Sequence, residues 1–251
     1  MFMGGFLLIK KYFPQYASLL SHLRDVNMNT LSIPLSWIYR VLLHLPEKAT
    51  RDELRTLLPG EDLDVFFNQH KSPDDGLYPI RGVVLFGLAE MERAKRFAHE
   101  IRAGRIEKLG QLMNISHDGD RVISIADDGS EKPYRAPTSN DYILSLINDL
   151  ESGDLDRVNR AQLQEQPGSY LCSLPEIDRM VHISLQTEGV VGAQLAGAGL
   201  GGCMMVLAHR DAVSSLVTNL TQHYYQPHAK APTILVCRPV AGCDVQMRDA
   251  R

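Results

Sequence analysis

Gly189-Val190-Val191-Gly192-Ala193-Gln194-Leu195-Ala196-Gly197-Ala198-Gly199-Leu200-Gly201-Gly202-Cys203-Met204-Met205-Val206-Leu207-Ala208 carries no charged side chain. By length alone this stretch matches a membrane-spanning helix, which needs about 20 apolar residues. Its glycines at 189, 192, 197, 199, 201 and 202 argue against any helix, because each interior glycine costs about 1 kcal/mol relative to alanine. The stretch reads instead as two buried strands, Val190 to Ala196 and Cys203 to Ala208, joined by a glycine turn. Strands joined so closely run antiparallel.

Around this hairpin the apolar residues recur at helical spacing. Phe6 to Asp25 has a helical pattern that Pro14 should interrupt. Pro34 opens a helix through Trp37, Ile38, Val41 and Leu42. Thr50-Arg51-Asp52-Glu53 has the form of a capping box. Gly60 to Gly76 is polar and turn-rich. After Pro79, the residues Val84, Leu88, Met91, Ala94, Ala98 and Ile101 line one face of a long helix, and Gly104 stops it. Ile106, Leu109, Leu112 and Met113 mark the next helix. Arg121 to Arg135 reads as a hairpin or an ordered loop around Asp127-Asp128-Gly129-Ser130. Tyr142 to Leu150 is an amphipathic helix. Ser173-Leu174-Pro175-Glu176 has the form of a second capping box, opening a helix with Ile177, Met180, Val181 and Ser184 on one face. Val213 to Tyr224 is a further helix, and Thr233 to Arg238 reads as a final strand. The expected class is α+β, a small antiparallel sheet covered by helices.

The chain has 251 residues, 44% hydrophobic and 22% charged, with a net charge of −4. That composition suits a globular core. No basic stripe or polybasic run is present, so neither nucleic acid nor an anionic membrane is an expected partner. Cys172, Cys203, Cys237 and Cys243 lack the C-x-x-C spacing of metal and redox sites. They read as free, buried thiols of a cytoplasmic protein. In the N-terminal run Met1 to Ile9 the positive charges of Lys10 and Lys11 follow the apolar residues. A signal peptide has the opposite order, so the run reads as the buried start of a helix.

Several groups invite a functional reading. The loop Gly197, Gly199, Gly201 and Gly202 is either a tight turn or a surface whose bare backbone lets a phosphate approach. It is no dinucleotide fingerprint, because a strand rather than a helix follows. Asp118 and Asp120 lack the rest of an EF-hand loop, and the histidines lack zinc spacing, so no metal site is expected. His117 has no nucleophile beside it and reads as structural. Glu90-Met91-Glu92-Arg93 reads as a solvated helix face.

Taken in order, several segments resemble the galactokinase branch of the GHMP small-molecule kinases. Arg81-Gly82-Val83-Val84 through Glu90 and Arg93 resembles the long central helix of that family. Ala103-Gly104-Arg105-Ile106 through Leu112-Met113-Asn114-Ile115-Ser116-His117 resembles its "ALRxGD…FGxLMxxSH" segment. Pro175-Glu176-Ile177-Asp178 resembles "CPELD". Gly189 to Gln194 leads into the glycine loop as in the family, and Cys237-Arg238-Pro239 with Gly242 resembles its last strand. The chain departs from the pattern at Ala196 (usually Thr), at Leu200 (often Phe) and at Asp118 to Arg121 (usually Ser-Leu-Arg-Asp).

The resemblance implies a GHMP kinase C-terminal domain over 79–251, with 1–78 a helical continuation from an N-terminal domain. It implies an ATP- and Mg²⁺-dependent transfer to the anomeric hydroxyl of galactose or a similar sugar. Gly197, Gly199, Gly201 and Gly202 would border the substrate and phosphate cleft, with Ser116 and His117 as weaker candidates. The family's Pro-x-x-x-Gly-x-x-Ser-Ser loop, Gly-Glu-His segment and Met-Asp-Gln segment do not occur among the 251 residues. The catalytic carboxylate is therefore expected in an N-terminal domain missing from these residues, the chain resembling a truncated gene product, a gene fragment or one half of a split enzyme. This chain alone is expected to be inactive and to bind no cofactor tightly. The alternative is a non-catalytic remnant that binds a partner or metabolite.

Overall fold

The computed structural model describes residues 1–68, 75–197, 199 and 201–238. The helix Phe2–Tyr12 ends just before Pro14, where a 3-10 turn, Pro14–Leu19, takes over. Proline has no amide to donate and excludes the preceding turn, so the interruption falls where the sequence requires it. The helix Leu35–Leu43 follows Pro34. In Arg51–Leu57, Thr50 accepts from the Glu53 amide while Glu53 accepts from the Thr50 amide, completing the reciprocal cap. Residues 69–74 of the turn-rich stretch lie outside the described residues.

The central helix Ile80–Arg102 is the spine of the molecule. Ile80, Val84, Leu85, Leu88 and Ala89 pack with Leu8, Ile9, Ile38, Tyr39 and Leu42 on one side and with Ile143, Ile147 and Leu163 further along the chain. This core continues across position 78. The expected stripe holds only for its first half: Ala94 is exposed and Ile101 is 56% exposed. Arg93 and Glu100 turn inward instead. The Glu90–Arg93 cluster is thus no solvated face. Arg93 is 3% exposed and donates to the carbonyls of Gln164 and Gln166 and to the Glu90 carboxylate. Glu100 is enclosed by Arg96 and Arg105.

Two antiparallel hairpins complete the α+β architecture. β1 (Ile123–Ile125) pairs with β2 (Glu131–Pro133) across the Asp128-Gly129 turn. β3 (Val190–Ala196) pairs with β4 (Cys203–Ala208), with a register irregularity between Val190 and Gly192. The helices Ile106–Asp120 and Pro175–Leu185 pack against β3. A smaller core of Cys172, Ile177, Val181, Ala193 and Leu195 joins these layers.

Three local expectations need correction. Ser173 does not cap the Pro175–Leu185 helix; Leu174 is the cap residue, without a side-chain bond, and the Ser173 hydroxyl goes to Asp178 instead. Thr233 to Arg238 forms no strand, and Leu235 is 86% exposed. Strand propensity is realised only against a partner edge, and this segment has none among the described residues. Pro239 and Gly242 lie outside them. Cys203 and Cys237 are exposed, unlike the buried Cys172, while Cys243 lies outside the described residues.

Candidate functional site: a braced glycine turn

The turn between β3 and β4 departs from ordinary backbone at each described glycine. Gly197, Gly199, Gly201 and Gly202 have φ values of +94°, +82°, +125° and +94°. Only glycine occupies this region without strain. The positions Ala198 and Leu200 lie outside the described residues. Among the described residues nothing stands within 4 Å of where a Cβ on Gly197 would be, and only the Ala196 carbonyl, at 3.7 Å, is near that of Gly202. Gly199 faces inward, where a Cβ would come within 2.6 Å of Cys172 Sγ. Among the described residues the turn is therefore uncovered at Gly197 and seated on Cys172 at Gly199.

The seat is a buried polar layer. The Cys172 thiol donates to Asp120 Oδ1 at 3.0 Å. Burial, then the bond to Asp120, pushes that thiol far up, away from a reactive thiolate. Burial also raises the Asp120 carboxyl to about 6, despite the Cys172 bond. Nearby, Asp178 accepts from Ser173 Oγ at 2.6 Å and from the amides of Val122 and Ile123, each at 2.9 Å. His117 Nε2 faces Asp178 Oδ1 at 3.3 Å. Burial pushes the Asp178 carboxyl up, but the contacts from His117, Ser173, Ile123 and Val122 together hold it below its ordinary value.

His117 joins this layer to the sheet. Its Nδ1 accepts from the Leu195 amide at 3.2 Å, so the ring proton sits on Nε2, toward Asp178. The side chain of His117 is fully buried, and Ser116 is 8% exposed. His117 therefore sits in the interior between the Ile106–Asp120 helix and β3, and Ser116 is likewise buried rather than on an open wall. Asn114 repeats the connection one turn earlier by accepting from the Ala193 amide at 3.0 Å. Helix and strand approach closely because Gly110 and Gly192 meet at their crossing: a Cβ on Gly192 would stand 2.5 Å from Gly110 Cα.

The glycine loop was readable in the sequence; Cys172, Asp120, Ser173 and Asp178 were not singled out as its support. Their separations along the chain, 52 residues for Cys172 and Asp120, leave no local signal. Among the described residues no group of three or more His, Cys, Asp or Glu side chains is placed to hold a metal ion. No helix among them is long and apolar enough to cross a membrane.

Comparison with known proteins places this architecture. Residues 146–226 match the family described as GHMP kinases C terminal. The chain is 26% identical over 211 residues to a galactokinase of Streptococcus suis (strain 05ZYH33), covering 82% of this chain and 52% of that protein. It is 28% identical over 198 residues to a galactokinase of Roseiflexus sp. (strain RS-1), covering 79% of this chain and 38% of that protein. A galactokinase of Streptococcus mutans serotype c matches at 27% over 211 residues. The chain spans about half, or less, of the length of these relatives. The β3–β4 hairpin, its glycine turn and the Pro175–Leu185 helix fall within the residues similar to the GHMP kinase C-terminal family, and about four fifths of the chain is similar to galactokinases.

Proposed function

We propose that this chain supplies the glycine-turn wall of a galactokinase-like sugar kinase, which moves the γ-phosphoryl group of ATP to the anomeric hydroxyl of galactose or a related sugar. The observation that carries this reading is the turn itself. Four glycines have positive φ, and among the described residues no side chain comes within 4 Å of the Cβ positions of Gly197 and Gly202, while that of Gly199 abuts Cys172. Such a surface lets phosphate or sugar oxygens approach main-chain atoms that a side chain would cover.

In this reading ATP supplies the phosphoryl group and Mg²⁺ neutralises its charge. The turn fits the approach of a phosphate. The described residues offer no ligand set for Mg²⁺, so no step is assigned to the ion on this chain. Its own residues hold the turn in place and keep water from the Cys172 side of the wall. The phosphate loop and the catalytic carboxylate would come from a complementary N-terminal segment.

The test is a coupled ADP-release assay with galactose and competing hexoses, run on the 251-residue chain alone and after mixing with the N-terminal half of a related galactokinase. We expect turnover from the pair and none from the chain alone. Robust turnover by the chain alone would show that it carries its own phosphate loop and carboxylate. A folded, associated pair without activity would overturn the kinase reading.

A further inference from the structure

We propose that Asp120 and Cys172 form a proton-operated brace beneath the glycine turn: the turn is seated while Asp120 carries a proton and lifts from Cys172 when Asp120 ionises. The brace is independent of the kinase reading.

A line of contacts links the carboxyl to the turn. Gly199 lies directly on Cys172, with Sγ 2.6 Å and Cβ 2.7 Å from a Cβ position on the glycine. Cys172 Sγ in turn donates to Asp120 Oδ1 at 3.0 Å. The backbone around Cys172 is pinned to the end of the helix Ile106–Asp120. The amides of Tyr170 and Leu171 both donate to the Gly119 carbonyl, and that of Ser173 to the Asp120 carbonyl. Leu171 takes the left-handed region, at φ +61°, a costly conformation for leucine that persists only where the surroundings enforce it. With its backbone held, Cys172 answers a change at Asp120 through its thiol side chain, which has Gly199 on its other side.

Asp120 is poorly equipped to be an anion in this place. It is 8% exposed. Among the described residues its side chain has one hydrogen bond, from a thiol, which is a weak donor. The charged groups around it are engaged elsewhere or have the wrong sign. On the helix Ile80–Arg102, Arg93 is bonded to Glu90 and to two carbonyls, and Glu90 opposes a second negative charge. On its own helix, His117 is engaged by the Leu195 amide and faces Asp178. Tyr170 and Cys172 face it from the pinned segment, and Asp178 adds a further acid beside Cys172. Burial outweighs the favourable contacts and raises the carboxyl to about 6. Neutral Asp120 suits the seat, whereas the ionised form needs water. On opening, the turn lifts and water solvates the carboxylate, whose ordinary value is 3.8. Opening therefore grows more favourable as pH rises from about 4 to about 6, by about a hundredfold, and levels off above about pH 7.

The test is the rate at which Cys172 reacts with an aromatic disulfide reagent in the 251-residue chain carrying Cys203→Ser, Cys237→Ser and Cys243→Ser. Rates are divided by those of the same chain unfolded in urea at each pH, which removes the intrinsic reactivity of the thiol. Global unfolding is measured alongside by urea titration. We expect corrected labelling to rise about a hundredfold across that pH range and to exceed what global unfolding allows. Asp120→Asn should label slowly at every pH. Gly199→Ala, which unseats the turn and leaves the carboxyl in place, should label fast already at the acidic end and lose most of the pH dependence. Labelling that does not change with pH, that follows global unfolding, or that keeps its rise in Asp120→Asn overturns the proposal. If Asp120→Asn does not fold, Gly199→Ala decides, and an unchanged rise in that variant overturns the proposal equally.

Discussion

Gly199 and Cys172 meet through the space that a side chain at 199 would fill, with Cys172 Sγ 2.6 Å and Cys172 Cβ 2.7 Å from the position of a Cβ. Gly197, in the same turn, has no neighbour within 4 Å at the corresponding point among the described residues. Both have positive φ, so alanine at either position pays about 1–2 kcal/mol of backbone strain. At 199 overpacking adds about 1–3 kcal/mol. Urea denaturation should therefore show Gly199→Ala to be clearly less stable than Gly197→Ala. Equal losses would mean that the seat on Cys172 contributes nothing.

Asp120 makes stability depend on pH. Its folded carboxyl titrates at about 6 against an ordinary value of 3.8. Between those values the folded protein keeps a proton that the unfolded chain has released, so this contribution to stability falls as pH rises from about 4 to about 6. The shift corresponds to about 3 kcal/mol at 1.36 kcal/mol per unit. Asp120→Asn removes it. The unfolding free energy of the variant, measured relative to the parent, should rise across that window and level off above pH 7. A parallel pair of pH curves would refute the assignment.

Asp178 has the opposite sign. Its carboxyl is held below the ordinary value by its donors, so its contribution is present above the unfolded value and is lost as pH falls through the folded one. Removing it strands Ser173, His117 and two amides in the interior. Asp178→Ala should cost about 3 kcal/mol or more at neutral pH, and Ser173→Ala about 1 kcal/mol. Equal losses for the two, read from denaturant midpoints, would reduce Asp178 to a partner of Ser173 alone.

Gly110 and Gly4 form a contrasting pair, since both lie inside helices. A Cβ on Gly110 would collide with the backbone of Val191, whereas Gly4 has nothing within 4 Å among the described residues. Gly4→Ala should stabilise by about 0.5–1 kcal/mol through helix propensity. Gly110→Ala should destabilise by several times that amount, because the strand must move. Thermal melts with opposite shifts would confirm the pair; a stabilised Gly110→Ala would place the helix–strand crossing elsewhere.

The hairpin was legible in the sequence because its determinants are local. Uncharged residues flank a cluster of glycines, and β3 and β4 begin and end where that pattern does. Thr50 and Glu53 capped as read, since both partners of a capping box lie within one turn. Ser173 and Glu176 have the same spacing and failed, because Asp178 captured the hydroxyl. Arg93 looked solvated because the carbonyls that bury it belong to Gln164 and Gln166, more than 70 residues away. The support of the glycine turn was hidden for the same reason. Asp120, Cys172, His117 and Leu195 meet only after the chain has folded back on itself.

That long-range connection also orders events in time. The β3–β4 hairpin closes over the residues from 197 to 202, and hairpins of this kind form in about 1–10 μs. The bond from Leu195 to His117 spans 78 residues, and its loop-closure entropy must be met before any contact rewards it. The turn can thus take shape before its foundation exists. A newly made chain would carry a formed but unsupported hairpin until the helix Ile106–Asp120 docks beneath it and locks Leu195 to His117.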